Sequence, residues 1–171
     1  MKIYKDFFPS YIYEIILKYL EKTPFVIDPT PLAQDIDKSV PRLTPTSYQG
    51  FIHQSFPQDP HSNLSLNFFA GMALIKIKNE EKKIFNLERV LFNYLTKGTV
   101  GQLHYDAKED NAYTFILNLT DGDGGTQVNN KFYKNNFNEG LLFKSNILHQ
   151  GIGPTEGLYR QNMALILREQ Q

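Results

Sequence analysis

The chain contains no cysteine. That excludes a disulfide, a zinc–thiolate site, an iron–sulfur cluster and a thiol nucleophile, and leaves histidine and carboxylate as the strong metal ligands. Any metal bound here is held through nitrogen and oxygen. The lack of bridges also fits a reducing compartment. Net charge is missing too, with Lys and Arg together numbering 18 and Asp and Glu together 18. No long basic run supplies a phosphate-neutralising footprint, which disfavours a nucleic-acid partner. No apolar run approaches the roughly 20 residues needed to span a bilayer, and the opening residues Met1-Lys2-Ile3-Tyr4-Lys5-Asp6 are mixed and charged. The expectation is a soluble, cytoplasmic protein with no membrane association. Neither an internal repeat nor a low-complexity tract is present.

What is present is enough chain for one core. At 171 residues a single domain is expected, able to bury its apolar residues without staples. Residues Pro9 to Lys22 read as an amphipathic helix, because Ile12, Ile15, Ile16, Tyr19 and Leu20 recur at three- and four-residue spacing. Packing against a sheet explains that face better than a partner does. From Thr23 to Leu64 the chain is rich in Pro, Ser, Thr and Asp, which predicts irregular structure with short extended pieces, such as a lid. Asn67 to Ile77 is apolar and fits either a short helix or a buried strand. The charged run Lys78 to Lys83 reads as a solvated turn.

Strands are expected at Arg89–Leu95, with Val90, Phe92 and Tyr94 on one face, and at Val100–Tyr105, Ala112–Leu119, Leu141–Lys144 and Asn162–Leu167. Asp121-Gly122-Asp123-Gly124-Gly125 is a strong turn signal. It is too short, and lacks the distal glutamate, to be an EF-hand calcium loop. Many short strands after an N-terminal helix predict a mainly β fold of the double-sheet jelly-roll kind. The expected division is residues 1–88 as helix and lid segments and residues 89–171 as the β core.

The chemistry concentrates in the second half. In an extended segment, side chains two apart share a face, so His104 and Asp106 can point together while Tyr105 points away. His149 follows in Leu148-His149-Gln150-Gly151, and Arg160 stands before the apolar run Met163-Ala164-Leu165-Ile166-Leu167. Two histidines and one carboxylate, with the remaining positions open, form the facial triad of non-haem Fe(II) oxygenases. Taken singly, each residue has a plainer reading, the histidines as satisfied strand residues and Arg160 as a surface ion-pair member. His53 and His61 lie in the Pro-rich segment with no carboxylate or histidine at ligand spacing, and are read as loop or substrate-contact residues.

In this order, His-x-Asp, then Gly124-Gly125-Thr126, then His149 and Arg160, the chain resembles the 2-oxoglutarate- and Fe(II)-dependent dioxygenases, most closely the prolyl 4-hydroxylase-like branch. The resemblance is close over the C-terminal half and loose over the N-terminal half. It implies a double-stranded β-helix fold, with Fe(II) on His104, Asp106 and His149. The co-reactants it implies are 2-oxoglutarate and O2, with ascorbate as an optional reductant. It also implies that Arg160 takes the cosubstrate's C5 carboxylate through its planar fork, and that Tyr94, ten residues before His104, reaches the cosubstrate. Ile116 falls where the family carries an aromatic or polar residue, which leaves Thr114, Asn118 or Asn162 to support the C5 carboxylate. The implied reaction converts 2-oxoglutarate to succinate and CO2 while hydroxylating an unactivated C–H, on a prolyl or other residue of a peptide or protein.

Two other readings stand beside it. One is the same chemistry on a small molecule or on a nucleic-acid base, since Arg160-Gln161-Asn162 is similar to the start of the AlkB-like pattern, which then fails at Ala164 and Ile166. The other is a non-catalytic jelly-roll binding or structural module.

Overall fold

The computed structural model describes residues 1–22, 26–27, 50–56 and 64–170. The first helix, α1 (Ser10–Leu20), starts directly after Pro9, whose fixed φ of −57° suits helix entry. It buries Ile12, Tyr13, Ile16 and Leu20. The ambiguous segment is helical, as part of α2 (Leu64–Glu81). Leu66, Ala70, Ala73 and Ile77 recur three or four residues apart, and all are buried along one stripe. Of the charged run, residues 78–81 form the last helical turn rather than the predicted solvated turn, and only Lys82 and Lys83 lie beyond the helix. The chain leaves the helix through Lys82, at φ 55°.

Strands β1 (Lys2–Tyr4), β2 (Val26–Ile27), β3 (Gly50–Phe56), β4 (Phe85–Thr96), β5 (Ala112–Asn118), β8 (Gly140–Lys144) and β10 (Tyr159–Glu169) form a seven-stranded sheet in the order β1-β8-β5-β10-β4-β3-β2. Strands β6 (Gly125–Val128), β7 (Lys131–Lys134) and β9 (His149–Ile152) form a second sheet in the order β7-β6-β9. Every pairing is antiparallel. The two sheets make a jelly roll of the double-stranded β-helix kind. Although β1 and β3 come from the N-terminal half, they complete the same sheet as the C-terminal strands.

Both faces of the large sheet are covered, which explains why β10 reads as a continuous apolar run. Met163, Leu165 and Leu167 pack with α1 and α2, together with Val90, Phe92, Phe115 and Leu117. The opposite face carries Ala164, Ile116, Leu91, Leu141 and Phe143, and meets Val128 of the small sheet. This inter-sheet interior holds the polar residues discussed below.

A β-bulge sits in β4. Ile166 faces Arg89 and Leu167 faces Leu87, so Glu88 has no partner across the ladder. The extra residue shifts the alternation. Phe85 and Leu87 can then join Val90 and Phe92 on the helix-facing core, while Arg89 turns to the interior.

Val100–Tyr105 is not the continuous strand predicted. It touches β9 through isolated bridges at Val100–Ile152 and His104–His149. Here backbones cross closely, for a Cβ on Gly101 would lie 3.1 Å from the Gly151 carbonyl oxygen. The acidic turn is used structurally. The Asp121 Oδ1 accepts the Phe137 N–H at 2.7 Å, and the Asp123 carboxylate accepts the Thr155 N–H at 2.9 Å. His61 and most of the Pro-rich segment lie outside the described residues; His53 falls on β3.

Candidate metal centre

His149 opens β9, and His104 is bonded to it in both directions, N to O at 2.9 Å and 3.0 Å. Asp106 is brought in by its own N–H, which donates to the Ser145 carbonyl after β8 at 3.1 Å. His104, Asp106 and His149 therefore converge although the segment between Val100 and Asp106 is irregular. One ligand atom from each lies within 4.8 Å of the others. The His149 Nε2 is 3.1 Å from Asp106 Oδ2, and the His104 Nε2 is 3.5 Å from Asp106 Oδ1.

Orientation is set from behind the rings. The Nδ1 of His104 lies 2.8 Å from the Gln102 carbonyl oxygen, and that of His149 lies 2.9 Å from the Ile147 carbonyl oxygen. A carbonyl only accepts, so each Nδ1 carries a proton and each Nε2 is directed to the Asp106 side. Thr114 donates to Asp106 Oδ2 at 2.6 Å and is itself 2.9 Å from Ser145 Oγ. Two imidazoles, one carboxylate and outer hydrogen bonds that hold them fit a divalent first-row cation. Burial opposes charge on both His104 and Asp106. The hydrogen bond and charge of Asp106 nevertheless raise the His104 pKa, and the opposing His149 and His104 hold Asp106 well below the usual carboxylate range.

Arg160 lies at the other end of the interior, 2% exposed. Its Nε donates to Asn135 Oδ1 at 3.0 Å, its Nη1 to the Gly125 carbonyl at 2.7 Å, and its Nη2 to Thr126 Oγ1 at 2.7 Å and Asn118 Oδ1 at 3.5 Å. None of these acceptors carries charge. Removal from water lowers its pKa to about 10. A buried cation without a counter-ion costs several kcal/mol, and an anion entering this interior would relieve that cost. The guanidinium meets β6 at Thr126, and β6 faces His149 two residues on, at Val128. At about 3.3 Å per residue the two strand positions lie about 7 Å apart. Leu91, Ile116, Val128 and Ala164 pack between the two ends.

The remaining sequence-predicted residues divide. Asn162 faces the interior and accepts the Asn93 amide at 2.9 Å. Asn118 is in reach of the guanidinium. Thr114 does not support the C5-carboxylate position. Its register partner is Ile166, six residues from Arg160, and its hydroxyl belongs to Asp106. Tyr94 does not enter the interior. Strand alternation places it opposite Gln161, on the face away from Arg160, where its ring stacks on Tyr159 at 4.7 Å. Thr126, Asn135, Asn93 and Arg89 were not anticipated. Thr126 and Asn135 sit beside turn residues, where a polar side chain attracts no attention. Arg89 shares the interior face with Leu91 by regular alternation, and the bulge beyond it moves Leu87 and Phe85 to the other face, which leaves the spacing Phe85, Leu87, Val90, Phe92 as its trace in the sequence.

No protein-family model matches the chain, and no curated protein matches it either. Solved structures do match. The 2-oxoglutarate complex of a viral collagen prolyl hydroxylase from Paramecium bursaria Chlorella virus-1 superposes with TM-score 0.63 at 14% identity, covering 99% of this chain and 96% of that one. A Trichoplax adhaerens prolyl hydroxylase, in complex with a hypoxia-inducible-factor peptide fragment, gives TM-score 0.69 at 13% identity, with coverages of 98% and 83%. HygX of Streptomyces hygroscopicus, with nickel and 2-oxoglutarate bound, gives 0.66 at 14%, with coverages of 97% and 81%. The chain has the fold of the 2-oxoglutarate–Fe(II) oxygenases. The likeness covers 96% of the viral prolyl hydroxylase and 83% of the Trichoplax one.

Proposed function

We propose that residues 1–171 form one catalytic domain, a 2-oxoglutarate- and Fe(II)-dependent dioxygenase that hydroxylates an unactivated C–H on a prolyl or other residue of a peptide or protein. The observation that carries the reading is the pairing of two features across one apolar interior. At one end stand two imidazoles and a carboxylate with their donor atoms converging, and at the other a buried guanidinium with no carboxylate partner among the described residues. The peptide preference is supported by fold likeness to a prolyl hydroxylase held with a peptide fragment.

His104, Asp106 and His149 would hold Fe(II), their rings oriented by Gln102 and Ile147 and the carboxylate by Thr114. Bound Fe(II) and 2-oxoglutarate supply, with O2, the oxidising chemistry in which the cosubstrate is decarboxylated to succinate and CO2 while a C–H gains a hydroxyl. Arg160 would attract the C5 carboxylate by its buried charge, offering the N–H that its four neutral acceptors leave over, and so orient the cosubstrate. The side chains between the two ends exclude water from its methylenes, which strengthens the charge contact. The residues thus contribute position, ligand geometry and dryness.

Anaerobic calorimetry with Mn(II) and 2-oxoglutarate tests the site. Cosubstrate binding is expected to depend on the metal, and to disappear in His104→Ala, Asp106→Ala and His149→Ala. Succinate production retained by any of the three would overturn the assignment. Mass spectrometry of peptides incubated with Fe(II), ascorbate and 2-oxoglutarate, read for one added oxygen, tests the substrate class.

A further inference from the structure

A cavity of about 420 Å³ opens on the outer side of Asp106, lined by Arg89, Tyr105, Lys108, Ile166 and Arg168 among others. It adjoins the metal centre through Asp106 and lies along β10 in the direction away from Arg160. Its cations are not equally occupied. Arg168 is gripped by Glu88 at 2.6 Å and 3.0 Å, bonded to Asn111 at 3.2 Å, and lies 3.6 Å from Glu109. Arg89 makes one long contact, Nη2 to Asp106 Oδ1 at 3.4 Å, and no other hydrogen bond among the described residues. Its Nε is buried with no acceptor. Native structures rarely leave such a donor unmade. Lys108 is exposed at the rim, and its ammonium has no partner among the described residues.

The bulge explains how this arises. Glu88, unpaired across the ladder, reaches Arg168, while the next residue, Arg89, is aimed at Asp106. Glu88 thus neutralises Arg168, while Arg89 pairs with Asp106 through Nη2 alone and keeps its other N–H groups for a ligand. Asp106 does not complete Arg89, because its carboxylate already accepts from Thr114 and faces both imidazoles.

We infer that this cavity is the substrate subsite, and that it selects a substrate bearing a carboxylate close to the oxidised carbon, received by Arg89 with Lys108 at the rim. A carboxylate matches the planar fork of a guanidinium. Placed there, it would hold the neighbouring C–H beside the metal centre. The inference rests on the function proposed above and names the substrate class of that same site.

The test is calorimetric titration of the Mn(II)- and 2-oxoglutarate-loaded protein without oxygen. N-acetylproline is compared with N-acetylproline amide, and acetyl-Pro-Asp-amide with acetyl-Pro-Asn-amide. The first pair reads a terminal acid and the second an acidic side chain within a peptide. In at least one pair the acid is expected to bind about tenfold tighter or more, and Arg89→Gln is expected to erase that ratio. The ratio is taken within each variant, so a change in metal affinity does not disturb it. If Arg89→Gln does not fold, Lys108→Gln carries the test by narrowing the same ratio. Absent binding of both acids, equal affinities within both pairs, or a ratio unmoved in the folded variant would overturn the inference. Failure of the wild type to take up 2-oxoglutarate with Mn(II) would instead sink the underlying reading of the site.

Discussion

Arg160 donates through Nη2 to Thr126 Oγ1 at 2.7 Å, joining the last strand of the large sheet to the small sheet through a buried cation and a neutral hydroxyl. The pair defines one end of the inter-sheet interior, and its consequence is a site prepared for an anion.

Replacing Arg160 with Met removes the fork and keeps an apolar stem of similar length. The cost to 2-oxoglutarate binding is expected at about 2–5 kcal/mol, so the dissociation constant measured with Mn(II) should rise by roughly 30-fold or more. Mn(II) binding alone should change little. An unchanged cosubstrate affinity would show that the guanidinium serves the fold only.

Thr114→Val keeps the shape of the side chain and deletes the donor to Asp106. Loss of an outer hydrogen bond of this kind lowers metal affinity by about 10–100-fold. Titration with Mn(II) followed by electron paramagnetic resonance measures it. Equal affinity in the variant would mean that Asp106 is oriented by its other contacts.

Gly151 stands at the Arg160 end of the interior, opposite Thr126 in the ladder. A Cβ there would come 2.9 Å from Leu95 Cδ1 and 3.3 Å from Arg160 Nη1. Gly151→Ala should therefore destabilise by about 1–3 kcal/mol and weaken 2-oxoglutarate binding through a displaced Arg160. Thermal melts with and without cosubstrate read both effects. A variant with wild-type melting and wild-type ligand stabilisation would contradict the close approach.

Glu81 ties the end of α2 to β1 by accepting from Lys2 Nζ at 2.6 Å and Tyr4 Oη at 2.5 Å. Burial favours its neutral form, but the hydrogen bonds from Lys2 and Tyr4 outweigh burial and hold its pKa below the ordinary value. A depressed carboxyl pKa adds stability that is present above the unfolded value of about 4.3. That stability is lost as pH falls through the folded value. Wild type is expected to exceed Glu81→Gln by roughly 1 kcal/mol near pH 7, with the two curves meeting as acid protonates Glu81. Denaturant titrations across that range check it, and a gap independent of pH would contradict the sign.

The candidate metal-binding trio and the basic residue Arg160 were legible because each is named by its own chemistry. With cysteine absent, strong donors reduce to four histidines and 18 carboxylates, and the His-x-Asp spacing singles out His104 and Asp106 among them. Helix α1 was legible from its repeat. The ambiguity over Asn67–Ile77 closed only on packing, because a stripe such as Leu66-Ala70-Ala73-Ile77 acquires meaning from what covers it. Tyr94 shows the limit most plainly. Its distance along the chain from His104 fits the family resemblance, yet the strand's two-residue alternation turns its ring to the other face.

By itself, then, the sequence determined a cysteine-free, β-rich chain with an oxygen- and nitrogen-donor triad followed by a basic residue, since composition, local periodicity and donor type are properties of short segments. Only the tertiary structure decided which side chains share the interior. It set Thr126 and Asn135 on Arg160, gave Thr114 to Asp106, excluded Tyr94, placed Arg89 beside Asp106, and moved Leu87 to the helix-facing side through a one-residue bulge. The physical reason is register. Which face a residue occupies depends on how strands distant in sequence pair, and a single unpaired residue such as Glu88 reverses it.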